Sequence, residues 1–400
     1  MGARDRAFCA ETVYGCLRRR RVLEAIAASP ETGGPDRAAA RRLVAAYLLR
    51  DGAWSRAMLV AAGLPPQESA ELARRAAELQ LERLPLAVRA GLPDWLCDRL
   101  RERLPEAELL ALGEAFDRPA SVDLRVNVLR TSRDELRLLL AEEGFDCEPT
   151  PFSPVGLRRH ARAPLFRTQA FRRGLFEVQD EGSQLVGLLV APRPGEKVVD
   201  LCAGAGGKTL QLAALMRNRG SLYACDVAAA RLERLRPRLR RAGIGNVRLV
   251  SGAPALERRL RRLEGLVDAV LVDAPCSGTG TLRRNPDIKW RPIDLAGRVE
   301  VQRKLLARAA RLVRPGGRLV YATCSVLDEE NAAVVEGFLA GNADFRAEPA
   351  EAILRRQGVG LGGDAFTPEG ALQLYPHRHQ TDGFYAAVLS RQLRSAPGDG

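Results

Sequence analysis

The sequence predicts an α/β chain in which a doubly wound, parallel-sheet domain follows a small α+β platform and an all-helical N-terminal module. Three observations predict it. Between Glu181 and Leu389 five apolar, β-branched runs alternate with helical stretches: Val198–Leu201, Leu222–Cys225, Val247–Val250, Val267–Val272 and Arg318–Ala322. Strands apolar on both faces belong in a parallel sheet covered by helices, and right-handed crossovers put the ligand crevice at its carboxyl ends. Val122 to Val128 instead alternates apolar and polar residues, as a half-buried strand does. From Arg6 to Arg89 apolar residues recur at helical spacing.

The elements follow in order. Pro30, Gly33-Gly34-Pro35, Pro65-Pro66 and Gly91 punctuate short helices over residues 1–92. The run Arg18-Arg19-Arg20-Arg21 in this module is equally compatible with a nucleic-acid patch and a solvated face. Residues 93–180 form the platform, where Ser132 to Glu143 reads as a capped amphipathic helix ending at Gly144. Residues 181–391 form the doubly wound domain, and 392–400 read as a disordered tail.

At 400 residues and 46% hydrophobic the chain is long enough for two or three cores. It lacks the ~18 unbroken apolar residues of a membrane span, so a cytoplasmic, membrane-free protein is expected. Eight cysteines without a C-x-x-C pair, and three histidines, support neither a zinc cage nor a disulfide framework. His377-Arg-His379 reads as a polar loop before the last strand rather than as a metal pair. A net charge of +13 points to a polyanionic partner, discounted in part because lysine occurs only at positions 197, 208, 289 and 304 and arginine carries the rest.

Asp200-Leu-Cys-Ala-Gly-Ala-Gly-Gly-Lys208 follows the first strand of the doubly wound domain and opens a helix. Its glycines let backbone approach a ligand at a helix N-terminus. The spacing matches neither G-x-x-x-x-G-K-[ST] nor G-x-G-x-x-G, which disfavours a triphosphate or a dinucleotide. Asp226 ends the second strand, where an acid accepts both hydroxyls of a ribose. Together they fit S-adenosylmethionine, with its aminoacid part over the glycine turn. Asp273, Pro275 and Cys276 leave the fourth strand and Cys324 leaves the fifth; neighbouring strand ends lie about 5 Å apart, so both thiols reach one crevice. Cys202 and Cys225 read instead as small buried hydrophobes.

A thiolate beside a methyl sulfonium suits methylation at pyrimidine C5. That carbon becomes nucleophilic only after a thiolate adds to C6, an acid must engage N3, and a base must then remove the C5 proton. One cysteine attacks and the other can assist release. Because the target base must leave its stack, an RNA loop or flipped base is the expected substrate.

These residues resemble the Sun/Fmu (RsmB-like) RNA cytosine-5 methyltransferases over roughly Leu124 to Leu389. The likeness rests on Leu124-Arg-Val-Asn127, Val178-Gln-Asp-Glu181 with Ser183-Gln184, the glycine turn, Asp273-Ala-Pro-Cys-Ser-Gly278, Arg283-Arg-Asn-Pro-Asp-Ile-Lys-Trp290, Ala322-Thr-Cys-Ser325 and Thr381-Asp-Gly-Phe384. The resemblance implies a Rossmann-like class I methyltransferase domain that uses S-adenosylmethionine. It implies Cys324 as nucleophile, Cys276 as release cysteine and Asp273 as base-orienting acid; Lys208, the sulfonium charge and the strand-end loops are the candidates to make Cys324 a thiolate. The cofactor site would comprise Cys202, Ala203, Gly204, Ala205, Gly206, Gly207, Lys208, Asp226 and Asp273. Two departures stand out: Ala205 replaces a usual proline, and Ser251-Gly-Ala253 lacks the acid that commonly holds the adenine amino group.

Arg125, Arg283, Arg284 and Lys289 are the expected RNA contacts, whereas Trp290 reads as a core plug. The expectation is a monomeric, metal-free enzyme acting on ribosomal RNA. The rival from another class is a non-catalytic RNA-binding ribosome-assembly factor that keeps the fold. A nicotinamide-dependent oxidoreductase is a distant third, disfavoured by the glycine spacing.

Overall fold

A computed structural model describes residues 2–27, 37–50, 54–160 and 163–393. The turn signals at Pro30 and Gly33-Gly34-Pro35, and residues 394–400 of the expected disordered tail, lie outside the described residues. The chain divides into two compact units, one comprising residues 1–119 with 281–292 and the other residues 120–280 with 293–400.

The first unit is helical. Helices Ala3–Ala27, Arg37–Arg50 and Pro66–Glu78 bury Leu23, Ile26, Ala46 and Leu72 in one cluster. Helices Asp94–Arg101 and Glu106–Asp117 belong to the same unit. So does the 281–292 segment, whose short helix Pro286–Trp290 is fixed by polar anchors. Lys289 Nζ donates to the Arg18 and Gly91 carbonyls and to Asp117 Oδ1 at 3.0–3.1 Å. The half-buried Trp290 indole donates to the Leu17 carbonyl at 2.8 Å. The arginine run is used structurally: Arg18 is buried and donates to the Arg283 carbonyl, Arg20 pairs with Glu24, and Arg21 pairs with Asp94.

The second unit holds two sheets. Strands β1 (Val122–Val126), β2 (Glu148–Pro149), β3 (Gly156–Arg159) and β4 (Phe176–Val178) form an antiparallel sheet in the order β2-β3-β1-β4. The helix Arg133–Glu142 follows β1 and opens with a capping box between Ser132 and Glu135, as its sequence predicts. The larger sheet contains β5 (Lys197–Asp200), β6 (Ser221–Asp226), β7 (Val247–Ser251), β8 (Val267–Asp273), β9 (Val313–Thr323), β10 (Phe345–Glu348), β11 (Leu372–Leu374) and β12 (Phe384–Arg391). Its order is β10-β12-β9-β8-β5-β6-β7, with β11 beside β12. The five strands expected from sequence are its parallel members; β12 runs antiparallel to β9.

Buried polar groups tie the small sheet to the large one. Arg158 makes a bidentate pair with Asp123 at 2.8 and 3.0 Å and reaches Glu181 Oε2 at 3.3 Å, all three buried. Glu181 Oε1 in turn accepts the Phe152 and Ser153 amides at 2.6 Å. Gln184 donates to the Leu124 and Gln179 carbonyls, and Asn127 to those of Gly174 and Ala242. Buried groups of this kind cost far more when unpaired than they contribute when paired, so they fix where the platform meets the sheet.

Candidate active site

Parallel pairing brings the carboxyl ends of β5, β6, β8 and β9 to one edge. Asp200 registers with Ala224 and Leu271, and Asp273 with Ala322. A cleft of about 670 Å³ opens there, lined by the 200–208 turn, Asp226, Val227, Ala253, Leu256, Glu257, Asp273, Pro275, Val301 and Arg308 among others. Gly206, at φ +83°, precedes the helix Gly207–Leu215; a Cβ on it would lie 2.3 Å from Leu235 Cδ1. Glycine is therefore needed both for the left-handed backbone and for the packing beneath it.

Asp226 accepts the Gly204 amide on Oδ2 at 2.9 Å and the Ala228 amide on Oδ1 at 2.8 Å, which fixes its carboxylate in the cleft. Lys208 Nζ bonds Asp273 Oδ2 at 2.8 Å and lies 5.3 Å from the Phe384 ring centre. Asp200 is buried, takes the Thr209 hydroxyl on Oδ2 at 2.7 Å, and has no partner on Oδ1. Burial pushes its carboxyl up to about 7. Fixed acids, a close backbone turn and an unpartnered carboxylate oxygen at a cleft of this size fit a ribose-bearing, positively charged donor.

The thiols of Cys276 and Cys324 lie 3.4 Å apart, both half-buried. The hydrogen bond to Cys324 is the chief cause holding Cys276 well above the ordinary thiol range, followed by burial and the negative charge of Cys324 and Glu330. Either sulfur can be the donor in this contact. Sequence reasoning missed the groups that set this distance. Buried Glu330 accepts the Ser277 amide at 2.7 Å, the Ser277 hydroxyl, and the Gln302 amide at 3.1 Å. Gln302 also donates to the Pro275 carbonyl and Arg298 to that of Cys276, while Gly280 N–H donates to the Cys324 carbonyl. The only sequence signal for Glu330 is a polar Asp328-Glu-Glu-Asn331 stretch that looks like a surface loop.

Cys202 lines the cleft, and Cys225 is buried with its thiol pushed up to about 12, as expected of an inert packing residue. Three expected RNA contacts require correction. Arg125 is buried, donating to Gln179 and to the Gly207 carbonyl at 2.7 Å, so it braces the glycine turn. Lys289 is buried and committed to its three acceptors, and Arg283 is buried as well. Arg284 is half-buried. His379 is buried, and no metal-holding group of residues occurs among those described. No helix among them is long and apolar enough to cross a membrane.

A doubly wound sheet with a glycine turn after its first strand and a fixed acid after its second is that of a class I, S-adenosylmethionine-dependent methyltransferase. The 16S rRNA methyltransferase RsmB/F model matches residues 187–390, and the RsmF/B-like ferredoxin-like domain matches 92–164. The chain belongs to the RsmB/F family and is an RNA cytosine-5 methyltransferase. It is 34% identical to the probable ribosomal RNA small subunit methyltransferase B of Synechocystis sp., across 97% of this chain and 91% of that protein. It is 32% identical to the human 28S rRNA (cytosine(4447)-C(5))-methyltransferase, across 78% of this chain but only 39% of that longer protein. A methyltransferase homolog from Pyrococcus horikoshii superposes with a TM-score of 0.65 at 32% identity, covering 78% of this chain and all of its own.

Proposed function

We propose that the enzyme methylates a cytosine C5 of ribosomal RNA through a covalent adduct between Cys324 and C6. The 3.4 Å contact between Cys276 and Cys324 carries this reading, because a reaction that must both form and break a C6–S bond can use one thiol to attack and a second beside it to assist release. Cys324, as thiolate, adds to C6 and leaves C5 electron-rich. S-adenosylmethionine, when bound, supplies the electrophilic methyl group. Asp273 would engage the pyrimidine N3 edge, and the Lys208 ammonium bonded to it would offset the negative charge that the ring takes up.

Release then falls to Cys276. Once the Cys324 sulfur is tied to carbon as a thioether, it carries no negative charge and is a poorer acceptor, so two of the causes that hold Cys276 protonated are removed. Cys276 can lose its proton to solvent in the cleft and then take the C5 proton, whose bonding pair re-forms the C5–C6 double bond as the C6–S bond breaks back to the Cys324 thiolate. Cys202 to Lys208 with Asp226 hold the donor, and Arg284 is the phosphate contact left from the expected set.

The test compares two variants incubated with ribosomal RNA and donor, then run on denaturing gels. Cys276→Ala should trap a denaturant-resistant protein–RNA band; Cys324→Ala should give neither band nor product. A band with Cys324→Ala and none with Cys276→Ala would reverse the roles.

A further inference from the structure

Ala253 lines the cleft but offers no polar side chain to a base. It lies two residues beyond Ser251, the partner of Asp226 in the β6–β7 register, and begins the helix Ala253–Arg261. An adenine attached to a ribose on Asp226 therefore extends toward this helix. The cleft there has apolar walls from Val227, Leu256, Val301 and Leu305, with Arg231 beside Val227 and, against the helix, two charged side chains of opposite sign that touch each other. These are Glu257 and Arg308, with Arg308 Nη2 at 2.6 Å from Glu257 Oε2.

We propose that Glu257 accepts the adenine 6-amino hydrogen of the methyl donor, replacing the acid that position 253 does not supply. Glu257 is one helical turn past Ala253, so both are on one face. Side chains of a helix lean toward its N-terminus, so the longer Glu257 side chain covers the space above Ala253. One oxygen is ion-paired with Arg308 and the other accepts Arg261 Nε at 3.2 Å, and each keeps a lone pair for a further donor. The same contacts hold the carboxyl below its ordinary range, with the Arg308 hydrogen bond the first cause, so the acceptor stays ionised. Arg308 serves as a positioning residue: Val301, Leu305 and Arg308 share one face of the helix Leu295–Leu312 and close the pocket from the other side.

This inference rests on the donor site proposed above, and its test separates the two. Calorimetric titration of the full chain uses S-adenosylhomocysteine and its analogue lacking the 6-amino group. Glu257→Ala should weaken S-adenosylhomocysteine about 10- to 100-fold, the range of a lost hydrogen bond to a charged acceptor. It should leave the deaminated analogue unchanged, which also shows that the pocket is folded. Adding Ala253→Asp to Glu257→Ala should restore the preference for the amino-bearing ligand. Equal discrimination by wild type and Glu257→Ala, with Asp226→Ala losing both ligands, would overturn the role of Glu257 and keep the donor site. Failure of wild type to bind S-adenosylhomocysteine would overturn both.

Discussion

Glu330 touches neither sulfur, yet its removal should cripple the chemistry, and the cost can be worked from its partners. Glu330→Ala orphans the Ser277 amide, the Ser277 hydroxyl and one Gln302 N–H, all buried. Each orphaned donor costs about 1–3 kcal/mol, and the hydroxyl can turn toward Thr279 or Ser325, so a total of roughly 3–5 kcal/mol is expected. At about 2–4 °C per kcal/mol for a domain of 150–250 residues, the melting temperature should fall by about 10 °C. The Cys276 loop then loses its anchor, and a displacement of about 1 Å is enough to lower kcat about 100-fold while donor affinity holds. Glu330→Gln keeps the shape and one acceptor but removes a negative charge that raises the Cys276 thiol. Its melting temperature should drop only slightly, and the pH profile of adduct release should move to lower pH, because Cys276 ionises more easily. Calorimetry, single-turnover kinetics and release measured from pH 6 to 9 check these outcomes. Wild-type melting and kcat in Glu330→Ala, or an unmoved release profile in Glu330→Gln, would refute the reasoning.

Lys289→Met should destabilise the helical unit by roughly 3–5 kcal/mol, the cost of breaking a buried pair, and leave the salt dependence of RNA binding unchanged; a slope reduced by about one would restore a phosphate contact. Asp200 ionises near 3.8 when unfolded and near 7 when folded, so the fold loses stability as pH rises from about 4 to 7 and no further above that. In the donor-free enzyme, Asp200→Asn should therefore match wild type near pH 4 and melt higher at pH 8, by at most about 4 kcal/mol at 1.36 kcal/mol per pKa unit. Gly206→Ala should weaken S-adenosylhomocysteine binding in the same titration, since its Cβ strains a positive-φ position and collides with Leu235.

The parallel sheet was legible because each of its strands is a short β-branched run, and the site because strand ends in such a sheet converge wherever register allows. Val267–Val272 and Arg318–Ala322 are neighbours in the structure, which brings Cys276 and Cys324 together as their positions in sequence imply. Cation placement was not legible. Arg125 and Lys289 sit in segments whose composition suits RNA, but each meets carbonyls contributed by distant parts of the chain, Gly207 for one and Arg18 and Gly91 for the other. A local pattern records that a residue is charged, and only tertiary structure decides whether it faces solvent. Glu330 escaped for the same reason: in an acidic loop it looks solvated, and its partners Ser277 and Gln302 lie 53 and 28 residues away.

With no histidine beside either sulfur among their described partners, the asymmetry of the thiol pair must come from the loops themselves. Two backbone carbonyls pin those loops, that of Cys276 by Arg298 and that of Cys324 by the Gly280 amide, so the main chain that carries both sulfurs is fixed. Glu330 then breaks the symmetry, since it is bonded to the residue after Cys276 and adds its negative charge there. The Cys324 sulfur and Glu330 together hold the Cys276 thiol above its ordinary range. In the proposed reaction, attack by Cys324 would remove both the charge and the hydrogen-bonding sulfur that hold Cys276 up, and that removal would free Cys276 to act as base.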